Sequence, residues 1–197
     1  MPRILDISQP LEATIAVWPG DTPFQVSWTA RLDRSDPANV GSVTMSLHTG
    51  THADAPRHVR NSGASIDTIL EPFIGLALVT DTSGGAITTS VLQNLPKSPP
   101  PRVLFKTGGT GYLDAGAARD LVSRKVRLVG LDSPSIDTED STTLETHHIL
   151  ADAGVVILEN LDLSAVSPGQ YELVALPLRL VGMDASPVRA ILRTLEP

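Results

Sequence analysis

Through the first third of the chain, hydrophobic and polar positions alternate with a period of two. Ile4–Ile7 is a short apolar run that predicts a first strand. Phe24, Val26, Trp28 and Ala30 then alternate with Gln25, Ser27 and Thr29, which predicts a half-buried strand. Between the two, Trp18-Pro19-Gly20-Asp21-Thr22-Pro23 is dense in turn formers and predicts a loop. Val43, Met45 and Leu47 share a face over Ser42–Leu47, a further strand. Beyond residue 74 the pattern changes. Ile74–Val79 is a continuous apolar run with a β-branched end, read as a buried strand, and Val103–Lys106, Val126–Leu131 and Val155–Leu158 follow as strands with helical segments between them. Those helices are Thr88–Leu95, Asp114–Ser123 capped by Asp114, and a third capped by Ser141 or Thr142 that runs to about Ala151, where Gly154 stops it. Glu145 then lies in the first turns of the third helix, where the macrodipole favours a carboxylate. Tyr171–Leu180 and Val188–Leu195 read as strands joined by the turn Gly182–Pro187. Strands first and strand–helix alternation afterwards predict a mixed α/β domain with a partly antiparallel sheet. A pure doubly wound fold is disfavoured, because the N-terminal third lacks helices.

Length and composition narrow the function classes. The 197 residues suffice for one sizeable core and are short for two, so a single domain over 1–197 is expected. Hydrophobic residues make up 41% and charged residues 19%, ordinary values for a globular chain. A net charge of −7, with no basic stripe, argues against nucleic acid. No apolar run approaches the ~20 residues of a membrane-spanning helix, and the N-terminal Met1–Asp6 lacks the core of a signal peptide, so the expected location is cytoplasmic. There is no cysteine, so any metal site must use nitrogen and oxygen ligands.

Such ligands are concentrated in one place. Residues 48–58 read His-Thr-Gly-Thr-His-Ala-Asp-Ala-Pro-Arg-His, with three of the chain's five histidines and an aspartate in eleven positions. Imidazole and carboxylate are what zinc, manganese or iron bind in the absence of thiolate. On a straight strand His48 and His52 would share a face but sit about 13 Å apart, too far to grip one ion. A helix would bring them to about 6 Å, but would turn Asp54 away, and Gly50 and Pro56 oppose it. A bent segment satisfies all three, so a strand breaking into a tight loop over His48–Asp54 is predicted, with Gly50 supplying the backbone freedom. Three ligands leave an ion under-coordinated. The remaining candidates are His147 or His148, which point about 100° apart on a helix so that at most one faces the site, and Glu159 at a strand end. Asp54 and Glu159, as carboxylates, could bridge two ions.

The pattern His-x-Gly-Thr-His-x-Asp-Ala-Pro-x-His at His48–His58 resembles the metal-binding signature of the cyclase-like metal-dependent hydrolase family. Val17–Pro23 is similar to that family's N-terminal loop. Asp132–Asp137 with Thr142–His148 resembles its segment before the second ligand helix, and Ala175–Leu180 with Ala185–Arg189 its C-terminal hairpin. The resemblance implies a small α/β swivelling domain of β/β/α type that forms a homodimer. It implies two zinc ions per subunit, with manganese as the alternative metal: one held by His48, His52, Asp54 and Glu159, the other by Asp54, His147 and Glu159. It thereby selects His147 over His148. It makes His58 the catalytic acid/base and Trp18 a substrate contact. The implied activity, in the family's aryl-formamide branch, is hydrolysis of N-formyl-L-kynurenine to L-kynurenine and formate in tryptophan degradation. Two other readings stand beside it, the first motivated by the segment 99–125, which is shorter than in that branch. These are a sister hydrolase acting on another cyclic or aryl amide of isatin type, and a non-catalytic metal- or ligand-binding member.

Overall fold

The computed structural model describes residues 2–82 and 84–195; Met1, Ser83, Glu196 and Pro197, which fall within the expected 1–197 domain, lie outside the described residues. Elements run in the order β1 Ile4–Asp6, β2 Gln25–Ala30, β3 Val40–Thr44, β4 His52–Asp54, β5 Ile74–Asp81, β6 Ala86–Ile87, α1 Thr89–Leu92, β7 Arg102–Lys106, β8 Tyr112–Leu113, α2 Ala115–Ser123, β9 Leu128–Leu131, α3 Glu145–Asp152, β10 Val156–Glu159, β11 Gly169–Val174, β12 Ala185–Pro187 and β13 Ile191–Thr194. Nine strands form one sheet in the order β1-β13-β11-β5-β7-β9-β10-β4-β12. Its centre, β5-β7-β9-β10, is parallel, and the strands on either side run antiparallel. This is the mixed, partly antiparallel α/β sheet that the pattern predicts.

The continuous apolar runs have a physical cause in this topology. Strands β7, β9 and β10 are covered on both faces, so both sets of their alternate side chains must be apolar. One face packs Ala53, Phe73, Ala77, Leu128, Leu158 and Leu192. The other packs Val103, Phe105, Val129 and Ile157 beneath Leu121 of α2 and Leu150 of α3. Asp114 caps α2 as its sequence predicts, its carboxylate accepting from the Ala117 amide at 2.6 Å. Gly154, at φ +70°, ends the turn after α3 in the left-handed conformation that costs glycine least.

Five expectations are corrected. Strand β2 is not half-buried: Val26 and Trp28 are exposed, because β2 pairs only with β3 in a two-stranded ribbon outside the main sheet. Strand β5 is half-buried and not fully so, with Ile74 and Leu76 exposed. The bend after β3 is confined to residues 47–51, and His52–Asp54 is itself a short buried strand, held between β10 and β12. Helix α3 starts later than expected: its cap is Leu144, in a left-handed conformation with no side-chain cap, while the carboxylate of Asp137 accepts from the amides of Thr146 and His147 at 3.0 and 3.1 Å. The C-terminal strands β11 and β13 do pair, but the stretch between them is no simple turn; it contains β12, which crosses to β4. Among the described residues no helix is long and apolar enough to cross a membrane.

Candidate metal centre

Strand β4 sets the geometry. Alternate residues of a strand share a face, so His52 and Asp54 project together while Ala53 enters the core. In the antiparallel register Glu159 lies opposite His52, which puts its side chain on that same face. The turn 47–51, with Gly50 at φ +63°, folds His48 back over the strand. Helix α3 brings His147 from the opposite side. His48, His52, Asp54, His147 and Glu159 therefore converge, and all but His48 are buried. His148 does not join them. It turns outward to Arg60, whose guanidinium also grips Asp152 at 2.6 and 2.7 Å.

The two carboxylates are each turned between two groups of imidazoles. Asp54 presents Oδ1 to His48 Nδ1 at 3.1 Å and to His52 Nε2 at 3.5 Å, and Oδ2 to His147 Nε2 at 3.7 Å. Glu159 presents Oε2 to His52 Nε2 at 3.4 Å and Oε1 to His147 Nε2 at 3.3 Å. None of the contacts made by His52 Nε2 and the two Asp54 oxygens has hydrogen-bond geometry. The separations match the edges of a ligand polyhedron instead: a tetrahedral ion with bonds of about 2.0–2.1 Å sets its ligand atoms roughly 3.3 Å apart. His52 Nε2 and both Asp54 oxygens are buried with no hydrogen-bond partner. Leaving such groups unsatisfied is costly, and a cation among them removes the cost.

The surrounding hydrogen bonds orient the rings for that purpose. His52 Nδ1 is 2.8 Å from the Gly50 carbonyl oxygen and must donate to it, so Nε2 carries the lone pair that faces Asp54 and Glu159. His147 Nδ1 is 2.6 Å from Asp137 Oδ2, which frees its Nε2 in the same way. This carboxylate–histidine pairing is the support that metal-binding imidazoles ordinarily have. Glu159 Oε1 also accepts from the Ile136 amide at 2.7 Å. Burial works against charge on His48, His52 and His147, yet the neighbouring carboxylates outweigh it and hold all three imidazoles above their ordinary range, His48 at about 10. Burial likewise raises Asp54 and Glu159, but the imidazoles outweigh it and hold both carboxyls below theirs, Asp54 by much the more. The site thus demands positive charge, which a divalent ion supplies by displacing protons.

Beside the cluster opens a cleft of about 570 Å³, within the range of small-molecule sites. Trp18, Pro19, Pro134, Leu144, His58 and Glu159 are among the residues that line it. His58, in the short 3-10 turn Pro56–His58, sits with its ring centroid 4.4 Å from that of His48 and 5.5 Å from that of His147. Trp18, His48, His52, His58, His147 and Glu159 thus line this cleft, and buried Asp54 adjoins it through His48 and His52. Two carboxylates were not anticipated as site residues. Asp137 enters the sequence pattern only as the end of the Asp132–Asp137 motif. Asp184, which meets His48 Nε2 at 2.9 Å and His58 Nδ1 at 3.4 Å, fell inside a segment read as a plain turn. An acidic residue beside the C-terminal motif was the only available signal for it.

A family model described as "Putative cyclase" matches residues 5–138. The chain is 43% identical over 205 aligned residues to the kynurenine formamidase of Salinibacter ruber (strain DSM 13855 / M31), covering 96% of this chain and 97% of that protein. Among solved structures it is similar to a predicted metal-dependent hydrolase from Bacillus stearothermophilus, with a TM-score of 0.87, 29% identity and coverage of 99% and 100% of the two chains. It is also similar to isatin hydrolase A from Ralstonia solanacearum, with a TM-score of 0.85, 25% identity and coverage of 98% and 92%.

Proposed function

The chain belongs to the cyclase family, and from that premise we propose that it is a metal-dependent amide hydrolase, one domain over 1–197, converting N-formyl-L-kynurenine to L-kynurenine and formate in tryptophan degradation. The observation that carries the substrate is 43% identity to a kynurenine formamidase along nearly the whole of both chains. The isatin-type alternative has 25% identity behind it and is not favoured.

In this reading His48, His52, Asp54 and Glu159 would hold one ion, and Asp54, His147 and Glu159 a second. Zinc suits this set of imidazoles and carboxylates, with manganese the alternative. A divalent ion supplies Lewis acidity there, lowering the pKa of water towards neutrality and polarising an amide carbonyl. The remaining work falls to the chain. Hydrolysis breaks the formyl C–N bond, adds water oxygen to the formyl carbon and releases an aniline nitrogen, a poor leaving group until it is protonated. His58, half-buried and lining the cleft, would deliver that proton. Trp18, which lines the cleft and is 40% exposed, would stack on the aryl ring.

A homodimer also fits, since the ribbon β2–β3 leaves Val26, Trp28, Val40 and Val43 exposed together, a surface of the kind that marks association. The expected location is the cytoplasm, in keeping with a chain that has no cysteine.

The test is steady-state hydrolysis of N-formyl-L-kynurenine by the purified protein, with and without chelator and with zinc restored afterwards. Chelator-sensitive release of kynurenine is the expected result. A zinc-loaded protein that releases none would overturn the substrate assignment.

A further inference from the structure

Among the described residues, Asp184 is the one carboxylate within 4.0 Å of both the His48 and His58 rings. Its Oδ2 lies 2.9 Å from His48 Nε2 and 3.4 Å from His58 Nδ1. The backbone around it is firmly tied. The Asp184 carbonyl accepts from the Ala55 amide at 2.9 Å, the Met183 carbonyl accepts from Ile66 at 2.9 Å, and the Gly182 amide donates to Asp67 Oδ1 at 2.9 Å. Ala55 in turn accepts from the His58 amide at 2.9 Å, so the carboxylate and the imidazole it meets are anchored to the same short stretch of backbone. Immediately after it, β12 adds itself to β4, the strand that carries His52 and Asp54. A carboxylate carried on so firmly tied a backbone is placed to orient its neighbours.

We infer that Asp184 is a positioning residue for the hydrolysis: it accepts the Nδ1–H of His58, so that Nε2 is the nitrogen left to carry a proton to the departing amine, and it accepts the Nε2–H of His48, so that His48 Nδ1 faces Asp54. Both rings need this. An imidazole with no partner on one nitrogen exchanges tautomers and turns about its χ angles, and each lost orientation removes a fraction of productive encounters. No other carboxylate among the described residues is within hydrogen-bonding reach of the His58 ring. The three residues His48, His58 and Asp184 also have the spacing of a metal-ligand trio, with donor atoms within 4.8 Å of one another. The 2.9 Å contact between His48 Nε2 and Asp184 is a normal hydrogen-bond length, and His48 Nδ1 is the nitrogen already turned to Asp54.

The inference rests on the proposed role of His58 in hydrolysis, and the experiment separates the two. Zinc-loaded protein labelled with ¹⁵N-histidine reports the tautomer of each ring through two-bond proton–nitrogen correlations, with no substrate present. His58 of the wild type should be the Nδ1–H form, and Asp184→Ala should shift it towards Nε2–H. With N-formyl-L-kynurenine, Asp184→Ala should lower kcat by about 10- to 100-fold while KM changes by no more than about threefold. Asp184→Asn keeps an acceptor oxygen in the same place and should recover part of that loss, and it remains informative if the alanine variant folds poorly. An unchanged His58 tautomer in both variants would overturn the inference. So would a fall in bound zinc per subunit that is as large in Asp184→Asn, which keeps the acceptor for His48, as in Asp184→Ala, since that would make Asp184 a ligand. A wild type that leaves N-formyl-L-kynurenine intact would instead count against the hydrolysis reading, and the tautomer comparison would still decide the role of Asp184.

Discussion

Asp54 has two oxygens, each facing a different group of imidazoles, and no hydrogen-bond donor satisfies either one. Asp54→Ala therefore removes the one side chain shared by both proposed ion positions. The expected result is loss of tightly bound metal, measured by elemental analysis after gel filtration, and loss of turnover with it. His58 should behave differently, because it lies outside the proposed ligand set. His58→Ala should keep the wild-type metal content and lower kcat by about 10²–10⁴-fold, the contribution typical of a positioned general acid. A His58→Ala protein with wild-type kcat would remove His58 from the mechanism. The pair of variants separates holding the metal from moving the proton.

The turn Pro56–His58 that carries His58 has its own support. A Cβ added to Gly63 would come within 2.6 Å of the Pro56 carbonyl carbon and 2.7 Å of the Arg57 nitrogen, both rigid backbone atoms. Gly63→Ala must push this turn outward. The expected cost is about 1–3 kcal/mol, read from the urea midpoint, together with a drop in kcat in a protein that still binds metal. Elements of this kind differ in how far they can be read from sequence. The cap of α2 was legible because Asp114 and its partner Ala117 are three residues apart, and the ligand cluster was legible because four donors fall in eleven positions. The start of α3 was not legible, since its amides are served by Asp137 from outside the helix and no hydroxyl at 141 or 142 caps it. Strand β12 was hidden for a similar reason. Three residues carry no periodicity, and their pairing with β4 spans most of the chain. The same blindness concealed Asp184. The alternation in β2 was read correctly as strand but wrongly as half-buried, because a period of two says that two faces differ and not what covers them.

At the scale of the whole molecule, the metal centre and the exposed ribbon have separate consequences. A ligand that binds only the folded state stabilises it by about 2.7 kcal/mol at 100 times its Kd. For a chain of this length, zinc at that level should raise Tm over the chelated protein by on the order of 5–10 °C, measured by calorimetry; no shift would count against a buried metal site. The ribbon offers Val26, Trp28 and Val43 to a second copy of the chain. Trp28→Asp with Val43→Asp should convert the proposed dimer to monomer in light scattering, and leave metal content unchanged. The arrangement of the ligands along the chain also bears on biosynthesis. His48, His52 and Asp54 emerge early from the ribosome, but Glu159 pairs with His52 only once β10 is made, more than a hundred residues later. At about 5–20 residues per second, the nascent chain presents an incomplete set of donors for several seconds or longer. Loading of the centre is therefore a late event of synthesis, and a ribosome-stalled chain ending before Val156 would capture its cation only weakly.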